Sequence, residues 1–182
     1  PASLFMAITR SLFRTLSQQV LSPAKIVTDM NNSISDNNDT NMFVTLIVGI
    51  LDLKTGKLKL CNAGHNPPIL IRPDGQVSFL EFKTQIFVGV IEEYAYTEDE
   101  TTLDKGSKLF LYTDGVTEAE NTDKELYGDE KLLETLSDYA TSDVRTTVNA
   151  IVKSIATHVE EAEASDDLTI LLIQYEPGTT NN

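Results

Sequence analysis

The chain has 182 residues, 41% hydrophobic and 23% charged, a balance that supports a packed core and excludes a disordered or collagen-like polymer. Its 14 Lys and Arg stand against 28 Asp and Glu, a net charge of −14, so phosphate backbones and anionic lipid surfaces repel it and neither nucleic acid nor a membrane is an expected partner. Cys61 is the only cysteine, which rules out an internal disulfide and a cysteine-rich zinc site and fits a reducing, cytoplasmic setting.

Apolar residues at Leu4, Phe5, Ile8, Leu12, Phe13, Leu16 and Val20 recur three or four apart, and Pro1 suits a first helical turn, so the chain is expected to begin with an amphipathic helix. Ser22 followed by Pro23 reads as an N-cap and first-turn pair opening a second helix that ends near Ser35. The polar stretch DNNDTN (36–41) is a surface loop, because Asn and Asp side chains hydrogen-bond their own backbone in turns. Residues 42–53 and 58–62 flank a Gly-containing turn and form one hairpin. Residues 69–72 and 77–82 flank Pro73, Asp74 and Gly75 and form another. Residues 94–103 alternate polar and apolar, and 108–113 (KLFLYT) form a short strand with the character of one buried on both faces. Helical patterns over 129–139 and 143–162 precede a last strand over 168–175. The longest unbroken apolar stretch, 46–51, is far short of the roughly 20 residues that cross a bilayer. Strands bracketed by helices, without strict alternation, indicate an α+β fold with largely antiparallel pairing in a single domain, and 177–182 read as a polar tail.

Carboxylates at strand ends are the first candidates for chemistry, because a rigid strand can hold an oxygen ligand toward a hard cation. Asp114 closes the strand 108–113, and Asp166 with Asp167 opens the strand 168–175; Gly115 and Ser165 beside them are small enough to let a ligand approach. From spacing alone, ordinary turns are the simpler reading of both places. The two histidines are weaker candidates. His158 lies near Glu160 and Glu161 and reads as part of a solvated helix face, whereas His65, in the rigid loop NAGHNPP (62–68), is either structural or lines a site. No G-x-S-x-G, Walker A or G-x-G-x-x-G motif is present, which removes the common serine-hydrolase and nucleotide-binding readings.

Three segments then acquire a common meaning. NMFVTLIVGILDLKTGKLKLCNAGHNPPIL (41–70), LFLYTDGVTEAEN (109–121) and SDDLTILLIQY (165–175) together resemble the SpoIIE/RsbU branch of the metal-dependent, PPM-type serine/threonine protein phosphatases. The resemblance implies an α/β/β/α sandwich and a centre of two Mn²⁺ or Mg²⁺ ions, with Asp114 and Asp166 as metal ligands. It gives Asp167 and Gly115 supporting roles, and Gly64 and His65 a place in a structural loop near the site. In such enzymes the paired cations activate a water for in-line attack on phosphoserine, supplying the positive charge that an acidic protein lacks. The family's first two metal motifs have no counterpart here, so the chain is read as a piece of a longer protein lacking the first strands, with weak metal binding, little turnover by itself and open sheet edges that favour a homodimer. The parent enzyme is expected to dephosphorylate an anti-anti-sigma (STAS-type) protein in the cytoplasm. The competing expectation is a non-catalytic module that binds a phosphoprotein through a phosphatase fold.

Overall fold

The structure, a computed structural model, describes residues 2–19, 21–36, 38, 41–162 and 166–177, with backbone only for Ala2 and Leu4. Pro1, Val20, Ser165 and the end of the tail, all used in the sequence reading, lie outside the described residues. In chain order the elements are α1 (Ala2–Leu16), α2 (Pro23–Ser35), β1 (Leu46–Leu51), β2 (Lys57–Ala63), β3 (Ile69–Ile71), β4 (Val77–Phe79), β5 (Thr84–Gln85), β6 (Asp99–Thr102), β7 (Lys108–Tyr112), a 3-10 turn (Asp114–Val116), α3 (Gly128–Asp138), α4 (Val144–Val159) and β8 (Ile170–Gln174). They group into two compact units, Pro1–His65 with Glu81–Thr102, and Asn66–Leu80 with Leu103–Asn182.

In the first unit β2 is the central strand. It pairs antiparallel with β1 on one side, and on the other antiparallel with β6 and, further along, parallel with β5. Helix α2 lays Ile26, Val27, Met30 and Ile34 against Val48, Cys61, Ala63, Val88 and Tyr96. Each large apolar side chain buried this way contributes about 1.5–3 kcal/mol. Burial pushes the Cys61 thiol up to about 12, which leaves it a small apolar core group and not a nucleophile. The start of α2 is held by Ser22, whose hydroxyl accepts from Lys25 N at 3.3 Å and donates to Glu98 Oε2 at 2.7 Å. The same carboxylate accepts from Ala24 N at 3.1 Å and from Lys59 Nζ at 3.1 Å.

Burial raises the Glu98 carboxyl, but its bonds from Ser22, Ala24 and Lys59 outweigh burial and hold it below its ordinary value of 4.5. A carboxyl depressed in the folded state stabilises fully above 4.5 and loses that contribution as pH falls through its folded value. Glu98→Gln is therefore expected to cost about 1–2 kcal/mol near neutral pH. Urea unfolding at neutral pH and again well below the carboxylate range checks this, and a gap that fails to narrow in acid contradicts it.

The second unit is an antiparallel sheet in the order β4-β3-β7-β8. Ile69, Ile71, Phe110, Tyr112 and Leu172 pack on Leu132 and Leu136 of α3 and Ile151 and Ile155 of α4. The β3–β4 connection uses Gly75 at φ +91°, a left-handed backbone that glycine adopts without strain. β7 begins with Lys108, only 4% exposed, whose Nζ donates to Ala140 O at 2.8 Å and also to Ser142 O.

Several strands are shorter than the sequence pattern predicts. The run over 42–53 pairs only as β1, because the Asp52 carboxylate accepts from Lys54 N and Thr55 N and turns the chain, while Val44 makes a single bridge to Val88. The alternation over 94–103 yields only β6, since Tyr96 and Thr97 bond to Thr28 and Gln85 side chains and not to a strand. The run over 77–82 yields only β4, and β5, two residues long, carries no periodic signal at all.

Candidate metal centre

β7 and β8 pair from Lys108 opposite Gln174 to Tyr112 opposite Ile170, and one more ladder bond, Thr113 N to Thr169 O at 3.1 Å, ends the pairing. Beyond it the two chains part. One enters the 3-10 turn with Asp114 at its head, and the other carries Asp166 and Asp167. Gly115 brings these segments together, since a Cβ added there would lie 2.6 Å from Asp167 O and 3.5 Å from the Asp166 Cβ. Contacts below 3.0 Å do not occur for real Cβ atoms, so only glycine lets the turn pack this closely against residues 166–167. The structure thus assembles Asp114, Gly115, Asp166 and Asp167 at one end of a strand pair.

All three carboxylates are exposed. Asp114 Oδ1 accepts from Gly115 N at 3.0 Å, and Asp166 Oδ1 accepts from Asp167 N at 2.7 Å, so each loop orients its own carboxylate. Among the described residues the second oxygens of Asp114 and Asp166 take no hydrogen bond, and no Lys, Arg or His forms an ion pair with Asp114, Asp166 or Asp167. Like charges gathered without a cationic side chain suit a hard divalent ion, whose preferred ligands are carboxylate oxygens. Among the described residues no three His, Cys, Asp or Glu side chains are grouped to hold a metal. Thr113 and Thr169, which periodicity treats as ordinary strand residues, also join the two segments. Their only sequence signal is a threonine directly before Asp114 and another two residues after Asp167.

Gly64 and His65 belong to the first unit. The buried Asn62 carboxamide closes their loop, accepting from His65 N at 2.8 Å and donating to His65 O at 2.9 Å. His65 Nδ1 lies 3.3 Å from Thr45 Oγ1. Gly64 has φ +75°, and a Cβ on it would sit 2.0 Å from the Phe87 ring. His158 is not on a merely solvated face. Its Nε2 is 3.0 Å from Glu125 O, its Nδ1 2.9 Å from Lys131 Nζ, and its ring meets Tyr127 edge-on at 5.6 Å.

The fold is that of PP2C-type phosphatase domains. The SiaA-PP2C domain of Pseudomonas aeruginosa matches with a TM-score of 0.84 at 20% identity, over 97% of this chain and 71% of that one. RsbX in complex with magnesium matches with a TM-score of 0.60 at 17% identity, over 91% of this chain and 70% of that one. The family model for Stage II sporulation protein E (SpoIIE) matches residues 1–176, and the chain belongs to that family. Protein IcfG of Synechocystis sp. is 29% identical over 200 residues, covering 94% of this chain and 31% of IcfG. Phosphoserine phosphatase RsbU of Bacillus subtilis is 25% identical over 177 residues, covering 96% of this chain and 51% of RsbU. The chain therefore spans about a third and about a half of these curated relatives. The α+β class and the phosphatase family inferred from the three motifs are both borne out. No described helix is long and apolar enough to cross a membrane.

Proposed function

We propose that residues 1–176 form the catalytic domain of a metal-dependent protein serine phosphatase, with 177–182 as a tail. The observation that carries this reading is the packing of Gly115 on residues 166–167, which sets Asp114 and Asp166 on adjoining loops with, among the described residues, no cationic side chain paired to them. Membership of the SpoIIE family and the name phosphoserine phosphatase on the relative RsbU support it.

In this reading Asp114 and Asp166 hold Mn²⁺ or Mg²⁺, in a centre that takes two ions when its ligand set is complete. Asp167 orients Asp166 through its backbone amide. Bound there, the cations would supply the positive charge that phosphoryl transfer to water requires. The chain's own contribution is orientation. Each carboxylate has one oxygen committed to a neighbouring amide and, among the described residues, the other without a hydrogen bond, which reduces the freedom lost when a ligand binds. Gly64 and His65 shape a loop and take no chemical step.

The substrate we propose is the phosphoserine of a STAS-type anti-anti-sigma protein, and the setting is the cytoplasm. Self-association is proposed along β8, which among the described residues pairs with β7 alone and leaves Leu171 53% and Ile173 40% exposed.

Phosphate release from a phosphorylated STAS protein by the full-length protein, stripped with EDTA and resupplied with Mn²⁺ or Mg²⁺, tests the reading, with light scattering on the same samples for the dimer. Release is expected to stop with EDTA and return with metal. Folded protein that stays inert at saturating Mn²⁺ yet still binds the phosphoprotein would establish the non-catalytic binding module instead.

A further inference from the structure

We propose that Thr113 is a positioning residue of the metal centre, its hydroxyl latching the segment that carries Asp166 to the strand that carries Asp114. The inference rests on the metal-centre reading above and adds to it a residue that bears no charge.

The argument starts from the backbone. In an antiparallel hydrogen-bonded pair the two residues exchange both N–H to O=C bonds. Thr113 and Thr169 make only one of them, Thr113 N to Thr169 O at 3.1 Å. The carbonyl of Thr113, which would accept the return bond, is instead used by Val116 N at 3.0 Å and closes the 3-10 turn that presents Asp114. The N–H of Thr169 does not bond that carbonyl. It donates to the Thr113 side chain, Oγ1, at 3.2 Å. The proton of that hydroxyl points on to Asp167 O, at a long 3.4 Å.

One residue therefore does two things that a strand residue without a γ-hydroxyl cannot combine. Its main chain leaves the ladder to shape the Asp114 turn, and its side chain replaces the lost acceptor so that residues 167–169 stay in register. The β-branch keeps the hydroxyl in a narrow range of χ1, so its direction is set by the strand. Without the hydroxyl, the 166–169 segment keeps its close fit on Gly115 and the Thr113 N to Thr169 O bond but loses the two bonds through Oγ1. In the proposed centre Asp114 and Asp166 would then hold a cation less well.

The test uses three variants in the full-length protein: Thr113→Val, which preserves shape and removes the hydroxyl, Thr113→Ser, which keeps it, and Asp114→Asn. Mn²⁺ is titrated while the amide signals of Gly115 and Asp167 are followed by NMR, since a bound paramagnetic ion broadens signals on both segments together. Amide exchange at Thr169 is measured without metal. Thr113→Val is expected to raise the Mn²⁺ needed for joint broadening about ten-fold, the scale for residues that support metal ligands, and to speed Thr169 exchange, whereas Thr113→Ser stays close to the parent. A merely structural role would lower the melting temperature without moving the Mn²⁺ midpoint. Joint broadening unchanged by Thr113→Val overturns the latch alone. If the parent shows no joint broadening and Asp114→Asn behaves as the parent does, the metal-centre reading falls and the latch falls with it.

Discussion

Asp114→Asn in the full-length protein is expected to lower Mn²⁺-dependent phosphate release about a thousand-fold, equivalent to roughly 4 kcal/mol of transition-state stabilisation, with no change in melting temperature. The contrast between the two readouts follows from the local geometry. Asp114 is exposed, and among the described residues its side chain makes one hydrogen bond, accepted by Oδ1 from Gly115 N, which an Asn carbonyl accepts equally well, while its backbone carbonyl is untouched by the change. The substitution removes one negative charge and almost nothing else. In the proposed centre that charge is a ligand, and its loss is felt only when a cation and a phosphoryl group are present. Gly115→Ala should partition differently, because its Cβ would collide with the Asp167 carbonyl and push the Asp166 segment away, costing both stability and activity. Activity assays paired with thermal melts separate the cases. Full activity in Asp114→Asn would remove Asp114 from the centre.

Lys108→Ala is expected to give a large loss of stability, about 3 kcal/mol, or a melting temperature lower by roughly 6–12 °C for a chain of this size. The ammonium is buried at the head of β7 and bonds the carbonyls of Ala140 and Ser142, residues just beyond the end of α3. Removing it orphans one buried and one partly buried acceptor and empties the space of the aliphatic stem. Lys108→Met, which keeps the stem, should lose less. Burial pushes the Lys108 ammonium below its ordinary value of 10.5, against a smaller opposing pull from the Asp143 carboxylate. The folded protein therefore releases this proton before the unfolded chain does, and the contribution of Lys108 to stability rises with pH in the window just under 10.5. Chemical denaturation of parent and both variants across mildly alkaline pH measures all of these effects, and equal stability of parent and Lys108→Ala would contradict them.

The helices were legible in the sequence, and the strand ends were not. Helix α2 runs from Pro23 to Ser35 behind an Ser22 cap because serine, proline and the apolar spacing of Ile26, Met30 and Ile34 all specify the same local structure. Strand length depends on what lies alongside, and no local pattern records that. The residues over 94–98 alternate as a strand would, yet their polar groups are claimed by side chains of Thr28 and Gln85, remote in sequence. The carboxylates of the candidate centre were readable as strand-end residues beside small neighbours. That their segments lie side by side was not, since they are brought together only through the pairing of β7 with β8 and the packing of Gly115 on residues 166–167, a long-range event. Lys108 shows the same limit: a lysine opening an apolar strand gives no sign that it will be buried against helix-end carbonyls.

The chain visits each unit twice, and this has a consequence for how the protein is made. Residues 66–80 belong with 103 onward, so the β3–β4 hairpin leaves the ribosome well before the strand that will flank it. A lone two-stranded hairpin is at best marginally stable in water. Its apolar side chains, Ile69 and Ile71 among them, stay without their helices until α3 and α4 have followed, and β8 joins last of all. Pairings as distant as Leu111 with Leu171 place much of the folding barrier in closing long loops, so refolding of the second unit is a slow, late event during which chaperones or premature association compete for the chain.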